Sequence, residues 1–312
     1  MTKTVVVALG GNAILRPSQE GRIEEQLANV EDTMQQIADL IDLGYRVTIT
    51  HGNGPQVGAI LLQNDAGRNQ VPPMPLDVCG AMSQGMLGYM IQGRLEAALR
   101  AQGNDVPVAT VVTQTRVDQK DPAFQNPTKP IGPFYSEEEA QARMAGGDQT
   151  WTDDAGRGWR RVVPSPDPEE IVESHAIKTL IDSGAVVICV GGGGIPVVRD
   201  GDGYRGVEAV IDKDLASERL AVEVKADILL ILTDVTAVML DYGTDEERPL
   251  GGLRVAEARQ YLEDGQFGVG SMAPKIQACI RFVEAGGEEA IITSLGSAVG
   301  ALRENRGTRI VS

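Results

Sequence analysis

The sequence predicts an α/β fold, a mainly parallel sheet with helices on both faces, from three observations. Short apolar runs alternate along the chain with segments of helical spacing. The first run, residues 5–9, is apolar throughout, as a strand buried on both faces must be. Residues suited to backbone-lined ligand sites collect where strands end, which is where such sheets bind their ligands.

The elements follow in order. After the first strand, Leu27, Val30, Met34, Ile37 and Ile41 recur at helical spacing, with Gly44 placed as a C-terminal cap. Val47 and Ile49 begin a second strand that ends at His51-Gly52. A long helix is predicted over 77–101 and a third strand over 106–113. From 118 to 164 the alternation breaks. This stretch carries prolines at 122, 127, 130, 133 and 164 and both tryptophans, Trp151 and Trp159, and it reads as an excursion from the sheet. Asp167-Pro168-Glu169-Glu170 reads as a helix start, its apolar face continuing through Ile171, Ile177, Leu180 and Ile181 to Gly184. Strands are predicted at 185–190, 207–211 and 227–232, with a helix over 214–225. Helices at 255–262 and 274–284 and strands at 289–293 and 308–311 complete the chain.

Composition narrows the functional classes. The chain has 312 residues and a net charge of −16, which argues against nucleic-acid or anionic-lipid surfaces as partners, since those need basic faces. A hydrophobic fraction of 42% and a charged fraction of 23% are globular values. No apolar run approaches the roughly 20 residues of a membrane span. The N-terminus enters a strand directly, without a basic region and an apolar leader, so the expected compartment is the cytoplasm. Cys79, Cys189 and Cys279 lie far apart among apolar neighbours and read as core residues. His51 and His175 read as structural. Only seven lysines stand among the basic residues, a composition of salt adaptation and equally of a GC-rich genome.

Four strand ends carry unusual turns: Gly10-Gly11-Asn12, His51-Gly52-Asn53-Gly54-Pro55, Gly191 to Gly194, and Thr233-Asp234. Glycine lets a backbone N–H approach an anion closely, and a helix starting after the turn adds its dipole. No G-x-x-x-x-G-K-[ST] loop occurs. The four-glycine run leads into Ile195-Pro196 and a strand pattern, not a helix, which weakens the rival reading of a dinucleotide-dependent oxidoreductase. Three lysines have uncommon settings. Lys129 lies between prolines, Lys213 lies between Asp212 and Asp214, and Lys275 follows Pro274 at a predicted helix start. Ammonium groups converging on one pocket suit phosphoryl transfer, where catalysis is largely positioning and charge neutralisation.

These motifs resemble the carbamate kinases of the amino acid kinase superfamily over nearly the whole chain. The resemblance is carried by residues 7–13, 51–58, 126–134, 154–160, 191–196, 206–214 and 270–275, with the Lys129 and Asp154–Arg160 segments the most telling. It implies an αβα sandwich with a protruding lid over 118–164 inserted in a single domain, and a homodimer. It also implies phosphate transfer between ATP and carbamate, giving ADP and carbamoyl phosphate, run toward ATP synthesis in arginine fermentation with Mg²⁺ on the phosphates. Carried onto this chain, Lys213 and Lys275 meet the ATP phosphates, Asp214 orients the ammoniums, and Lys129 closes over carbamate. Backbone amides of Gly10, Gly11 and Gly52, with Asn12, Asn53 and Gly54, hold carbamate and the transferring phosphate. Gly191, Gly192, Gly193, Asp212, Thr233, Asp234 and Met272 border the nucleotide. Ala8 departs from the superfamily, in which many members have a lysine two residues before the first Gly-Gly; Lys213 is the substitute. Thr236 is a milder departure, standing where an acid is usual. The nearest rival reading is a kinase for a larger acid such as acetylglutamate or aspartate.

Overall fold

The computed structural model describes residues 2–312 apart from 148, 155 and 269. An eight-stranded sheet crosses the molecule in the order Gly252–Arg254, Thr308–Val311, Glu289–Ser294, Ile228–Thr233, Thr4–Leu9, Arg46–His51, Val186–Ile188, Val108–Thr110. Every neighbouring pair is parallel except Glu289–Ser294 with Thr308–Val311.

Strand alternation divides the core in two. Val5, Val7 and Leu9 pack with Met34 and Ile37 of the helix Ile23–Asp42 and with Leu87 and Ile91 of the helix Leu76–Ala101. Val6 and Ala8 face the other way, onto Leu220 of the helix Lys213–Val224 and Ile276 and Ile280 of the helix Met272–Glu284. One sheet with a core and a helical layer on each face is the expected αβα arrangement. Gly44 and Gly184 close their helices at φ of 90°, a conformation that costs glycine nothing.

The excursion builds its own small sheet. Strands Lys129–Tyr135, Trp159–Val163 and Thr150–Asp153 pair antiparallel in that order, with the helix Glu137–Ala145 between. Ser136 and Glu139 cap that helix reciprocally. Trp151 meets Tyr135 edge to face with ring centroids 5.1 Å apart. A third apolar cluster, including Val57, Leu76, Ile131 and Val163, ties this sheet to the body. Of the Asp154–Arg160 motif, residue 155 lies outside the described residues.

Three element predictions need correction. The expected helix start at Asp167–Glu170 is instead the strand Pro168–Ile171, antiparallel to Gln114–Val117, and the helix begins at Ser174. Proline is tolerated there because it is the first residue of an edge strand, and Arg116 across the pair draws in both Glu169 and Glu170. Residues 207–211 form no strand: Val207 N–H bonds to Pro196 O, Ala209 N–H turns back onto Val207 O, and Val210 N–H bonds to Pro164 O, so no single partner makes a ladder. The strand predicted over 106–113 shortens to Val108–Thr110. Sequence reading also passed over the helix Gly54–Gly67. The three cysteines are buried and unbridged. No described helix is long and apolar enough to cross a membrane.

Candidate active site

The strands ending at Leu9, His51 and Thr233 are parallel neighbours, so their turns meet at one sheet edge, with the glycine run after Ile188 beside them. Gly10 N–H donates to Leu232 O at 2.8 Å and Gly52 N–H to Leu9 O at 3.1 Å. Those two amides extend the sheet ladder and are spent. This corrects the expectation that they would hold an anion. Asn53 instead precedes the helix Gly54–Gly67, whose first turn contains Pro55. Its first N–H groups, beginning at Gly54, have no partner within the helix, so this helix start offers donors that the sheet ladder has not taken. Asn12 Nδ2 lies 3.4 Å from Asp234 Oδ2, and Thr233 Oγ1 donates to Asp234 Oδ1 at 3.0 Å, which fastens the first turn to the fourth.

The lysines form one network. Asp212 caps the helix Lys213–Val224 by accepting from Asp214 N–H at 2.9 Å. Its other oxygen accepts from Lys129 Nζ at 2.9 Å, reaching across from the first residue of the small sheet. Asp214 is 3% exposed and receives two ammoniums: Lys213 on Oδ1, and Lys275 on Oδ2 at 2.9 Å. Burial opposes the Asp214 charge, but the two lysines outweigh it and hold the carboxyl below its ordinary range. Burial also works against charge on Lys275, yet Asp214 overrides it and raises that pKa. Lys213 is pushed down by burial first, with the charge of Lys275 adding to the effect. The Lys213 stem lies over Gly52, where an added Cβ would come 3.3 Å from Lys213 Cδ. Ser217 ties the next turn down, with its hydroxyl 2.6 Å from that of Thr50.

Two cavities meet at Lys275. The larger, about 440 Å³, is lined by Thr233, Asp234, Met272 and Lys275, and by the apolar side chains of Met239, Tyr242 and Phe267. The smaller, about 230 Å³, is lined by Gly52, Asn53, Gly54, Lys129, Arg160, Gly192, Asp212, Lys213, Asp214 and Lys275. Gly192 and Asp212, expected at the nucleotide, therefore lie with Lys129 in the smaller cavity. Gly191 and Gly193 are buried packing positions: an added Cβ would sit 2.7 Å from the His51 ring and 2.4 Å from Ile211 O. Gly10, Gly11 and Asn12 form the ridge beside Gly52 and Asp234.

Several residues here escaped individual notice in the sequence. Arg160 lines the smaller cavity; its guanidinium donates to Gly132 O at 3.0 Å and pairs with Asp154 at 3.1 Å. The signal was the Asp154–Arg160 motif itself, whose first residue holds its last. Met239, Tyr242 and Phe267 gave no signal, being ordinary apolar residues on a hairpin and a loop. His51 is buried, its Nδ1–H donating to Gly52 O at 3.0 Å, and burial lowers its pKa to about 4. It is a neutral prop for the turn. His175 is exposed on a helix.

A wide cavity with apolar walls that opens at a lysine onto a small, cationic, glycine-floored cavity can hold a polyphosphate bearing a flat apolar group against a small anion. The model of the amino acid kinase family matches residues 3–294. The chain is 56% identical to the carbamate kinase of Thermococcus kodakarensis over 314 residues, 99% of each chain. It is 55% identical to the carbamate kinase of Pyrococcus furiosus over 315 residues, the whole of both. Among solved structures, the carbamate kinase from Giardia lamblia bound to AMP-PNP superposes with a TM-score of 0.94 at 50% identity, over 99% of this chain and 98% of that one.

Proposed function

The chain belongs to the amino acid kinase family and, within it, to the carbamate kinases, and from that membership we propose that it makes ATP from ADP and carbamoyl phosphate through the lysine network around Asp214. The observation that carries this reading is Lys275, which borders both cavities and so stands where a phosphoryl group would pass between them.

In this reading the nucleotide base packs among Met239, Tyr242 and Phe267, and its phosphates run past Thr233 and Asp234 to Lys275. Lys213 and Lys275 neutralise charge on the transferring phosphoryl group from a site where low dielectric strengthens them. Asp214 fixes both ammoniums ahead of substrate, so little reorganisation remains for the reaction itself. The acceptor side is the smaller cavity, between the Gly54 helix start, Lys129 and Arg160. In the reverse direction carbamate is already an anionic oxygen nucleophile, so no side chain need remove a proton. Both oxygens of Asp214 are engaged by lysines and one of Asp212 by Lys129, so these carboxylates would leave Mg²⁺ to come with the nucleotide, where it would neutralise phosphate charge.

Residues 118–164 act as a lid that carries Lys129 and Arg160 toward the body and shields labile carbamoyl phosphate from water. The resemblance supports ATP synthesis in arginine fermentation, a cytoplasmic location and a homodimer as parts of the same proposal. For self-association, Val78, Met82, Met86 and Tyr89 form an exposed apolar row along the helix Leu76–Ala101, and light scattering of the purified chain tests it. The reaction is tested by coupling ATP formation from ADP to a panel of acyl phosphates. Carbamoyl phosphate is expected to exceed acetyl phosphate and the phosphorylated amino acids in kcat/KM. Preference for a larger acyl group would replace this reading with the rival kinase.

A further inference from the structure

Asn53 stands just before the helix Gly54–Gly67, yet its side chain makes no capping bond to that helix. The amide is held elsewhere. Its Nδ2 donates to Ser83 Oγ at 2.7 Å, on the helix Leu76–Ala101. Ser83 is fully buried, and its one hydroxyl proton goes to Gly80 O at 2.6 Å. The Ser83 oxygen is therefore left to accept, and this fixes which end of the Asn53 amide faces it.

Gly192 fixes the plane of the same amide. A Cβ at Gly192 would lie 2.2, 2.3 and 2.4 Å from Nδ2, Cγ and Oδ1 of Asn53, so the amide turns its flat face to that glycine. With the nitrogen spent on Ser83, Oδ1 accepts no hydrogen bond among the described residues, and it is not one of their buried, unpartnered polar atoms. It is open to the smaller cavity, which Asn53 and Gly192 both line. That oxygen is chemically alone there. Lys129, Arg160, Lys213 and Lys275 only donate. Each oxygen of Asp212 and Asp214 already accepts from an ammonium or a backbone N–H. Among the described side chains lining the cavity, Asn53 supplies the one acceptor without a bond. Being neutral, it adds no repulsion toward a phosphate.

A cationic cavity of this size attracts any small acyl phosphate. What separates a carbamoyl group from an acetyl group of nearly the same shape is an amino group in place of a methyl: two N–H donors that need an acceptor. We infer that Asn53 Oδ1 is the specificity-determining acceptor for that amino group, and that Ser83 is the positioning residue that keeps it turned toward the substrate. This rests on the reaction proposed above. A methyl group at the same place would leave Oδ1 desolvated and unpaired, which is how a polar site rejects an analogue lacking the donor.

The test compares the KM for carbamoyl phosphate with the Ki of acetyl phosphate as its competitor, at saturating ADP and followed by carbamoyl phosphate consumption. In Asn53→Ala the KM is expected to rise about tenfold or more, while the Ki stays within about twofold or falls. Ser83→Ala frees the amide to turn. It is expected to shift the ratio of the two constants about threefold or more in the same direction, with the KM for ADP within about twofold. A merely structural role would weaken both acyl phosphates together. Such parallel losses, or a carbamoyl phosphate KM within about twofold of the parent in Asn53→Ala, overturn the assignment of Asn53. An unchanged ratio in Ser83→Ala overturns that of Ser83. Should Asn53→Ala fail to fold, Ser83→Ala decides alone, alanine being a strong helix former. A parent chain that makes no ATP from carbamoyl phosphate overturns the proposed reaction and this inference with it; an active parent with parallel losses in the variants leaves the reaction standing.

Discussion

Lys275 sets its ammonium 2.9 Å from Oδ2 of Asp214, a carboxylate whose other oxygen is taken by Lys213. One buried acid thus fixes two cations from different helices. Asp214→Asn keeps the shape but leaves two buried ammoniums facing a neutral group. The expected result is a kcat about 10²-fold lower or worse, with a stability loss of roughly 3 kcal/mol as for other broken buried pairs. Steady-state kinetics and urea unfolding measure the two effects. Near-normal turnover would remove Asp214 from its orienting role.

Lys129 reaches Asp212 from the small sheet, in the smaller of the two cavities that share Lys275. Lys129→Met is expected to raise the KM for carbamoyl phosphate about tenfold or more while leaving the KM for ADP within about twofold. A change confined to ADP would move this lysine to the other cavity.

Gly192 separates the two assignments of the glycine run. At φ of 66°, an added Cβ would lie 2.2 Å from Asn53 Nδ2. Gly192→Ala is therefore expected to displace Asn53 and raise the KM for carbamoyl phosphate, at a stability cost of about 1–3 kcal/mol. An effect on ADP alone would return Gly192 to the nucleotide.

Two buried groups set opposing pH trends. Burial lowers the His51 imidazole to about 4 from 6.5, so the folded chain binds fewer protons there than the unfolded chain. Its contribution is full above pH 6.5 and is lost as pH falls through 4. Burial pushes the Glu218 carboxyl up to about 7 from 4.5, with Oε2 left unpartnered. Its contribution is full below pH 4.5 and is lost as pH rises through 7. Each difference corresponds to roughly 3 kcal/mol. In melting temperature against pH, His51→Asn should flatten the acid side and Glu218→Gln the neutral-to-alkaline side. Slopes identical to the parent chain would contradict this.

The sheet, most helices and the three lysines were legible because each rests on local pattern: continuous apolar strands, helical spacing, caps at Gly44 and Gly184, and lysines flanked by prolines or aspartates. What stayed hidden depends on distant partners. Pro168 belongs to a strand because Gln114–Val117 lies beside it. Gly10 and Gly52 cannot bind an anion through their amides because the neighbouring strands take them. Asp212 lines the smaller cavity with Lys129, which arrives from 83 residues earlier. The wall of Met239, Tyr242 and Phe267 in the larger cavity is assembled by folding from residues with no chemical signature of their own.

In the proposed reaction, buried lysine charge at the junction of the two cavities drives phosphoryl transfer. The most direct measurement is kcat for ATP formation from ADP and carbamoyl phosphate in Lys213→Met beside the parent chain, with folding checked by circular dichroism. A loss of about 10²-fold or more is expected in a folded protein; turnover within about threefold of the parent would remove Lys213 from the reaction.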